Sequence, residues 1–173
     1  MADDKKILPE QASKGENLQL IVFKLGGEEY AMVIDQIKEV VLTPRITKVP
    51  LTPSYIKGVA NIRGTVLSII DLVERFGLGS NHFDTENNQY YSLIIESNEF
   101  KMGVLVKEVP STLSIYESEI DVSPSLIGDT SIDSSYIRGI VKSGERMIVL
   151  IDVQKVINKE EIQKSIKDRS IAA

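Results

Sequence analysis

An internal repeat constrains this chain more than any other feature. Residues 55–72 (YIKGVANIRGTVLSIIDL) align with residues 136–153 (YIRGIVKSGERMIVLIDV) at a constant offset of 81. Tyr55/Tyr136, Ile56/Ile137, Gly58/Gly139, Ile70/Ile151 and Asp71/Asp152 coincide, and Lys57/Arg138, Val59/Ile140, Leu67/Ile148 and Ile69/Leu150 are conservative pairs. An earlier block matches as well: Glu29, Tyr30, Ala31 and Met32 against Glu99, Phe100, Lys101 and Met102. Ordered, paired blocks point to duplication of one unit. Neither half is long enough to bury much apolar surface alone. Two small closed barrels packed together would share a core and leave no sheet edge open.

The local pattern is β. Apolar runs flank a turn signal four times: Leu18–Leu25 and Tyr30–Ile34 around Gly26 and Gly27, Val59–Ile62 and Val66–Ile70 around Arg63 and Gly64, Tyr91–Ile95 and Phe100–Val106 around Ser97 and Asn98, and Ile137–Val141 and Met147–Ile151 around Gly144. Each reads as a hairpin. The runs Val66–Ile70 and Met147–Ile151 are nearly continuous, as expected of strands covered on both faces. Helices are few. Asp35–Val40 is expected to form one or two turns. Asp71 should cap a short helix that ends at Gly77. Asp152 to Lys167 is the longest helical candidate. Residues 1–16 read as a polar tail, 79–89 as a loop between the halves, and 111–135 as a Ser-rich connection. The residues therefore predict an all-β chain with short helices. The barrels should lie near 35–90 and 100–150, terminal strands crossing between them.

Composition removes most chemistries. The chain has no cysteine, which excludes disulfides, thiol nucleophiles and Cys-based metal sites. Its one histidine, His82, falls in the polar loop and reads as a solvated residue. There is no phosphate-binding glycine motif. With 20 Lys+Arg against 25 Asp+Glu, the net charge of −5 argues against nucleic-acid binding. No apolar run reaches the ~20 residues of a membrane-spanning helix. A catalytic role, a metal and a cofactor are all unexpected, and a cytoplasmic setting is expected.

The phrase from Tyr55 to Gly64, continued by Val66–Leu72, resembles the CheW family, the scaffolds that couple chemoreceptors to the histidine kinase CheA. The resemblance spans about residues 18–158. It includes Phe23, Tyr30, Ile37–Val40, Ile46–Pro50 and Arg146–Val153. Ser68 departs from it, standing where the family commonly has proline. The resemblance implies two tandem five-stranded SH3-like β-barrel subdomains around a shared hydrophobic core, within residues 17–158. Residues 159–173 would form a C-terminal helix end and tail. It implies the CheA regulatory domain and the cytoplasmic tip of methyl-accepting chemoreceptors as partners, with recruitment to membrane arrays through them. A stand-alone adaptor is expected over a CheA or CheV fragment. Carried over by residue, the receptor-binding set is Ile34, Ile37, Glu39, Val40, Arg63 and Val109. Ile34 and Val109 could instead be core, and Ile37 and Val40 could be either core or groove. Glu39 and Arg63 could face solvent or pair with each other. Arg63 stands out because the second repeat has Gly144 in its place. The competing reading is a small-molecule-binding or catalytic β-barrel with a pocket between the halves.

Overall fold

The computed structural model describes residues 14–79, 83–84, 87–125 and 132–157. His82, most of the polar N-terminal tail and everything after Ile157 lie outside them. The described residues carry eleven strands, two short α-helices and three 3-10 turns. In chain order the strands and α-helices are β1 (Asn17–Leu25), β2 (Glu28–Val33), β3 (Ile37–Leu42), β4 (Ile56–Ile62), β5 (Thr65–Ile70), α1 (Leu72–Arg75), β6 (Tyr91–Glu96), β7 (Lys101–Val106), β8 (Ser111–Tyr116), β9 (Ile120–Asp121), β10 (Ile137–Ser143), β11 (Arg146–Ile151) and α2 (Val153–Ile157). All four expected hairpins form: β1–β2, β4–β5, β6–β7 and β10–β11.

The strands make two sheets, ordered β3-β6-β7-β5-β4 and β8-β1-β2-β11-β10-β9. The N-terminal hairpin joins the C-terminal strands, through a parallel pairing of β2 with β11. In the same way β7 pairs in parallel with β5. The first sheet's strands thus run from Ile37 to Val106, so β6 and β7 lie with the first-half strands across the anticipated 90–100 division. Both sheets curl back on themselves by one device. The chain leaving β3 returns at Thr47, which exchanges two backbone hydrogen bonds with Val59 of β4 (2.8 and 2.9 Å). The chain leaving β8 returns as β9, where Asp121 lies opposite Ile140 of β10. Val59 and Ile140 are repeat partners, so the six-stranded sheet is the first barrel's plan with its crossing strand counted twice.

The repeat fixes this closure chemically. Gly58 sits at φ 145, with the Thr47 carbonyl lying where a Cβ would stand. At Gly139 the same space is taken by Ile120 of β9. Both glycines mark the place where one strand crosses directly over another. The repeat also fixes the helix starts. The Asp71 amide donates to the Tyr55 carbonyl and the Asp152 amide to the Tyr136 carbonyl, both at 2.8 Å. The Asp71 and Asp152 carboxylates then accept from Val73 and Gln154. These carboxylates satisfy amides that a helix start leaves without intrahelical partners.

Three apolar clusters follow from this plan. One fills the first barrel (Ala60, Ile62, Leu67, Ile69, Ile94, Leu105). A second fills the other (Leu20, Val22, Ala31, Ile115, Ile148, Leu150). The largest lies between them and draws on both, including Phe23, Tyr30, Tyr55, Phe76, Met102 and Tyr136. β5 and β11 contribute to a barrel interior with one face and to the shared core with the other. Four consecutive residues of each are buried as a result.

The structure corrects four expectations. Asp35–Val40 is not helical beyond a single 3-10 turn at Ile34–Gln36; from Ile37 the chain is strand β3. The β-branched Val40 and Val41 and the partner strand β6 outweigh the local helical pattern. The Ser-rich segment is not all connection, because β8 occupies its first six residues and pairs with β1. Its Leu113 and Ile115 face inward, and the alternating Thr112, Ser114 and Tyr116 face out. Val66 and Met147 are exposed rather than buried, at 64% and 51%. The hairpin match also shifts by two residues. The parallel ladders set Ala31 opposite Leu150 and Gly103 opposite Ile69, so Tyr30 corresponds to Met102, not to Phe100.

One buried carboxylate predicts a pH-dependent stability. Asp71 is fully buried beside α1, 3.7 Å from the Lys57 ammonium, which also contacts Glu74 at 2.5 Å. Burial raises its pKa above the ordinary 3.8, against the opposing pull of the Val73 amide and Lys57. Its folded pKa exceeds its unfolded one, so folding is favoured by the protonated form. Stability from this group is complete below about 3.8 and is lost as pH rises through the folded pKa. Asp71→Asn keeps a capping oxygen and removes the titration. Its melting temperature relative to the native chain should therefore rise between pH 3 and pH 7, as a set of thermal melts will test. A difference that stays constant with pH would mean that Asp71 does not titrate with a raised pKa.

Candidate functional site

The exposed hairpin tip of β4–β5 carries one of the two left-handed non-glycine residues among the described residues, the other being Leu51. Ile62 pairs with Thr65, leaving a two-residue turn at Arg63 and Gly64. Both adopt left-handed conformations, at φ 50 and φ 85. This is the turn whose twist suits a hairpin, and it favours Asn, Asp or Gly at both places. The Asn61 side chain accepts from the Gly64 amide at 2.9 Å and steadies it. Arginine has a Cβ, and that conformation costs it about 1 kcal/mol. The second repeat avoids the cost by placing Gly144 there, at φ 62.

The Arg63 guanidinium reaches β3. Its Nε lies 2.9 Å from Glu39 Oε2, with side-chain exposures of 77% and 22%. Glu39 follows a bulge at Lys38, the register shifting between Ile37 and Glu39. Bulges re-aim side chains at barrel rims. Lys38 turns to Glu96 at 2.6 Å, and that hydrogen bond holds the Glu96 carboxyl below the usual range. Val40 and Leu42 are exposed beyond it, at 39% and 54%. Ile34 and Ile37 are half-buried and pack on the shared core. The rim thus carries an arginine–glutamate pair, while Val40 and Leu42 are exposed on the other face of β3.

Val109 lies elsewhere. It is exposed in the link from β7 to β8 and lines a small cleft of about 100 Å3 with Val22, Phe23, Lys24, Glu29, Glu108 and Ser111. The β3 residues are not part of that cleft's lining. The Glu39–Ile94 pair in one barrel corresponds to Ser111–Val22 in the other. Two residues earlier stand Ile37 and Val109, so these two are near-equivalents. The cleft has its own ion pair, with Arg146 gripping Glu29 through two hydrogen bonds of 2.9 and 2.7 Å. Those bonds lower the Glu29 pKa.

The sequence singles out Arg63 and Glu39 as polar candidates, and the structure brings them into contact. Leu42 escapes the sequence reading, and so do Val66 and Met147, which the apolar runs place in the core. The signal was present for Leu42: after the bulge, Lys38, Val40 and Leu42 alternate with Glu39 and Val41. Among the described residues no group of His, Cys, Asp or Glu side chains is arranged to hold a metal ion. A concavity of about 980 Å3 opens on the side of the first barrel, lined by Thr43–Lys48, Phe83, Asp84 and Asn87–Tyr90. The space between the barrels is filled by the shared core.

Comparison with known proteins bears on the fold and the family. Residues 19–161 match the model of the CheW-like domain family. The chain is 33% identical to the chemotaxis protein CheW of Bacillus subtilis (strain 168), over 88% of this chain and 94% of that one. It is 28% identical to the chemotaxis protein CheW of Treponema pallidum (strain Nichols), over 88% and 89%. Among solved structures, the scaffolding protein TtCheW from Thermoanaerobacter tengcongensis is similar with a TM-score of 0.72 and 32% identity, covering 84% of this chain and 91% of that one.

Proposed function

The chain belongs to the CheW-like domain family of chemotaxis scaffolds, and from that premise we propose that it is an adaptor holding a chemoreceptor tip and the CheA regulatory domain at once. The receptor side is the rim built by Arg63, Glu39, Val40, Ile34 and Ile37, with Val109 contributing from the other barrel. The kinase side is a barrel-to-barrel contact. The observation that carries this reading is Arg63. A strained, exposed arginine is kept at a turn that its duplicate makes with glycine. Within the chain the strain is offset only by a largely solvated ion pair with Glu39, which points to a role for the side chain in what it meets outside the chain. A guanidinium that already shares a carboxylate presents its remaining donors to an acidic or carbonyl-rich helix surface. Exposed Val40 and Leu42, on the outer face of β3, supply apolar contact.

An adaptor of this kind performs no chemistry of its own. It raises the effective concentration of one partner near the other. Recruitment to a membrane array would run through the receptor, since no helix among the described residues is long and apolar enough to cross a membrane. The competing reading, a ligand-binding barrel, requires a pocket between the halves where the apolar core lies. A pull-down separates the two: immobilised CheA regulatory domain should retain this chain, and the retained complex should still capture a soluble receptor-tip fragment. Mutually exclusive capture, or none, would overturn the adaptor reading.

A further inference from the structure

We propose that Arg75 is a positioning residue, a directional pin that sets the angle between the two barrels and hence between the adaptor's two partners. The functional half of this inference rests on the adaptor reading above; the geometric half does not. Helix α1 belongs to the first barrel. Its Glu74 is bound by Lys57 of β4, and its cap Asp71 donates its amide to Tyr55. From that base Arg75 reaches across. Its Nη2 donates to the Tyr136 hydroxyl at 3.1 Å. Its guanidinium lies 5.1 Å from the ring centre of Tyr55 and 5.7 Å from that of Tyr136. Tyr55 and Tyr136 are repeat partners at the same structural point of each barrel, each receiving the amide that starts the following helix. One cation thus bridges the two copies of a single landmark.

The duplicate position is Val156, fully buried in the shared core. An apolar residue therefore serves at this place in the second unit. Arg75 also has a buried Nε with no hydrogen-bond partner among the described residues. A partly satisfied guanidinium where an aliphatic chain suffices is a poor way to add stability. It is a good way to add direction. The apolar contacts that cross the same interface, including Phe76 against Tyr30 and Tyr136, are set by burial and tolerate rotation. A hydrogen bond combined with cation–π contact with two rings tolerates little.

The chain has no cysteine, so two spin labels can be placed cleanly through Val66→Cys and Met147→Cys. These are repeat-equivalent exposed positions, one on each barrel. Dipolar distance measurements should give one narrow distribution in the otherwise native chain. Arg75→Met should keep the melting temperature within a few degrees but shift or split that distribution, and Tyr136→Phe should do so to a smaller degree. In the unlabelled chain, Arg75→Met should keep each binary affinity, for receptor-tip fragment and for CheA regulatory domain, while receptor control of kinase activity is lost. An unchanged distribution overturns the proposal. So does unfolding of Arg75→Met with Tyr136→Phe unchanged in distance, which would make Arg75 a stability element. If the distances shift and kinase control persists, the functional half falls. If the native chain binds neither partner, the adaptor reading fails while the distance result stands.

Discussion

Gly58→Ala is expected to lose about 3–5 kcal/mol of folding stability, combining backbone strain with a clash that cannot relax. At φ 145 the residue occupies a region that side chains rarely adopt, and an added Cβ would fall on the Thr47 carbonyl group. That carbonyl is not free to retreat. It accepts from the Val59 amide while the Thr47 amide donates to the Val59 carbonyl, and these two bonds close the first barrel. The expected loss is a large fraction of the roughly 5–15 kcal/mol typical of a domain. Gly64→Ala is the control. It too has a positive φ, at 85, but nothing lies within 4 Å of its added Cβ. Its cost should be only the conformational term, about 1 kcal/mol. Urea denaturation of both variants tests the difference. Similar midpoints would mean that the close crossing at Gly58 is not what the repeat retains.

Arg63→Ala should leave the fold intact and weaken receptor-tip binding by roughly 30-fold, the loss of one interface anchor worth about 2 kcal/mol. The Glu39 ion pair is mostly solvated on the arginine side and contributes 1 kcal/mol at most, roughly. Alanine keeps the Cβ, so the turn's strain is unchanged. The net stability change should stay within about 0.5 kcal/mol. Arg63→Gly sharpens the test, because it puts glycine where the second repeat has it and removes the strain. It should be more stable than the native chain by up to about 1 kcal/mol and bind receptor as poorly as alanine does. Binding to the CheA regulatory domain should survive in both. If receptor binding is unchanged, or if stability and both affinities fall together, Arg63 is idle or structural.

The repeat made much of this fold legible before any geometry. Identical residues at Tyr55/Tyr136, Gly58/Gly139 and Asp71/Asp152 turn out to perform identical tasks in strand crossing and helix capping. What stayed hidden was decided by partners distant in sequence. β3 reads as helix locally and becomes strand because β6 lies beside it. β8 is short and Ser-rich, and only pairing with β1 reveals which of its residues face inward. The two-residue shift that equates Tyr30 with Met102 depends on parallel ladders between strands far apart in the chain. The sequence allowed an Arg63–Glu39 pair; its length and its strained backbone were not legible there. Arg75 gave no signal, because its role emerges only when two tyrosines 81 residues apart meet around it.

A chain that transmits a receptor's state to a kinase by holding both must change what the kinase does. Kinase activity is therefore to be measured in a reconstituted mixture of receptor, CheA and this chain, with and without attractant. Activity should rise when the chain is added, and attractant should then suppress it. Arg63→Ala should remove the attractant response while leaving CheA binding in place. Equal kinase activity and equal attractant response with and without the chain would contradict the adaptor role.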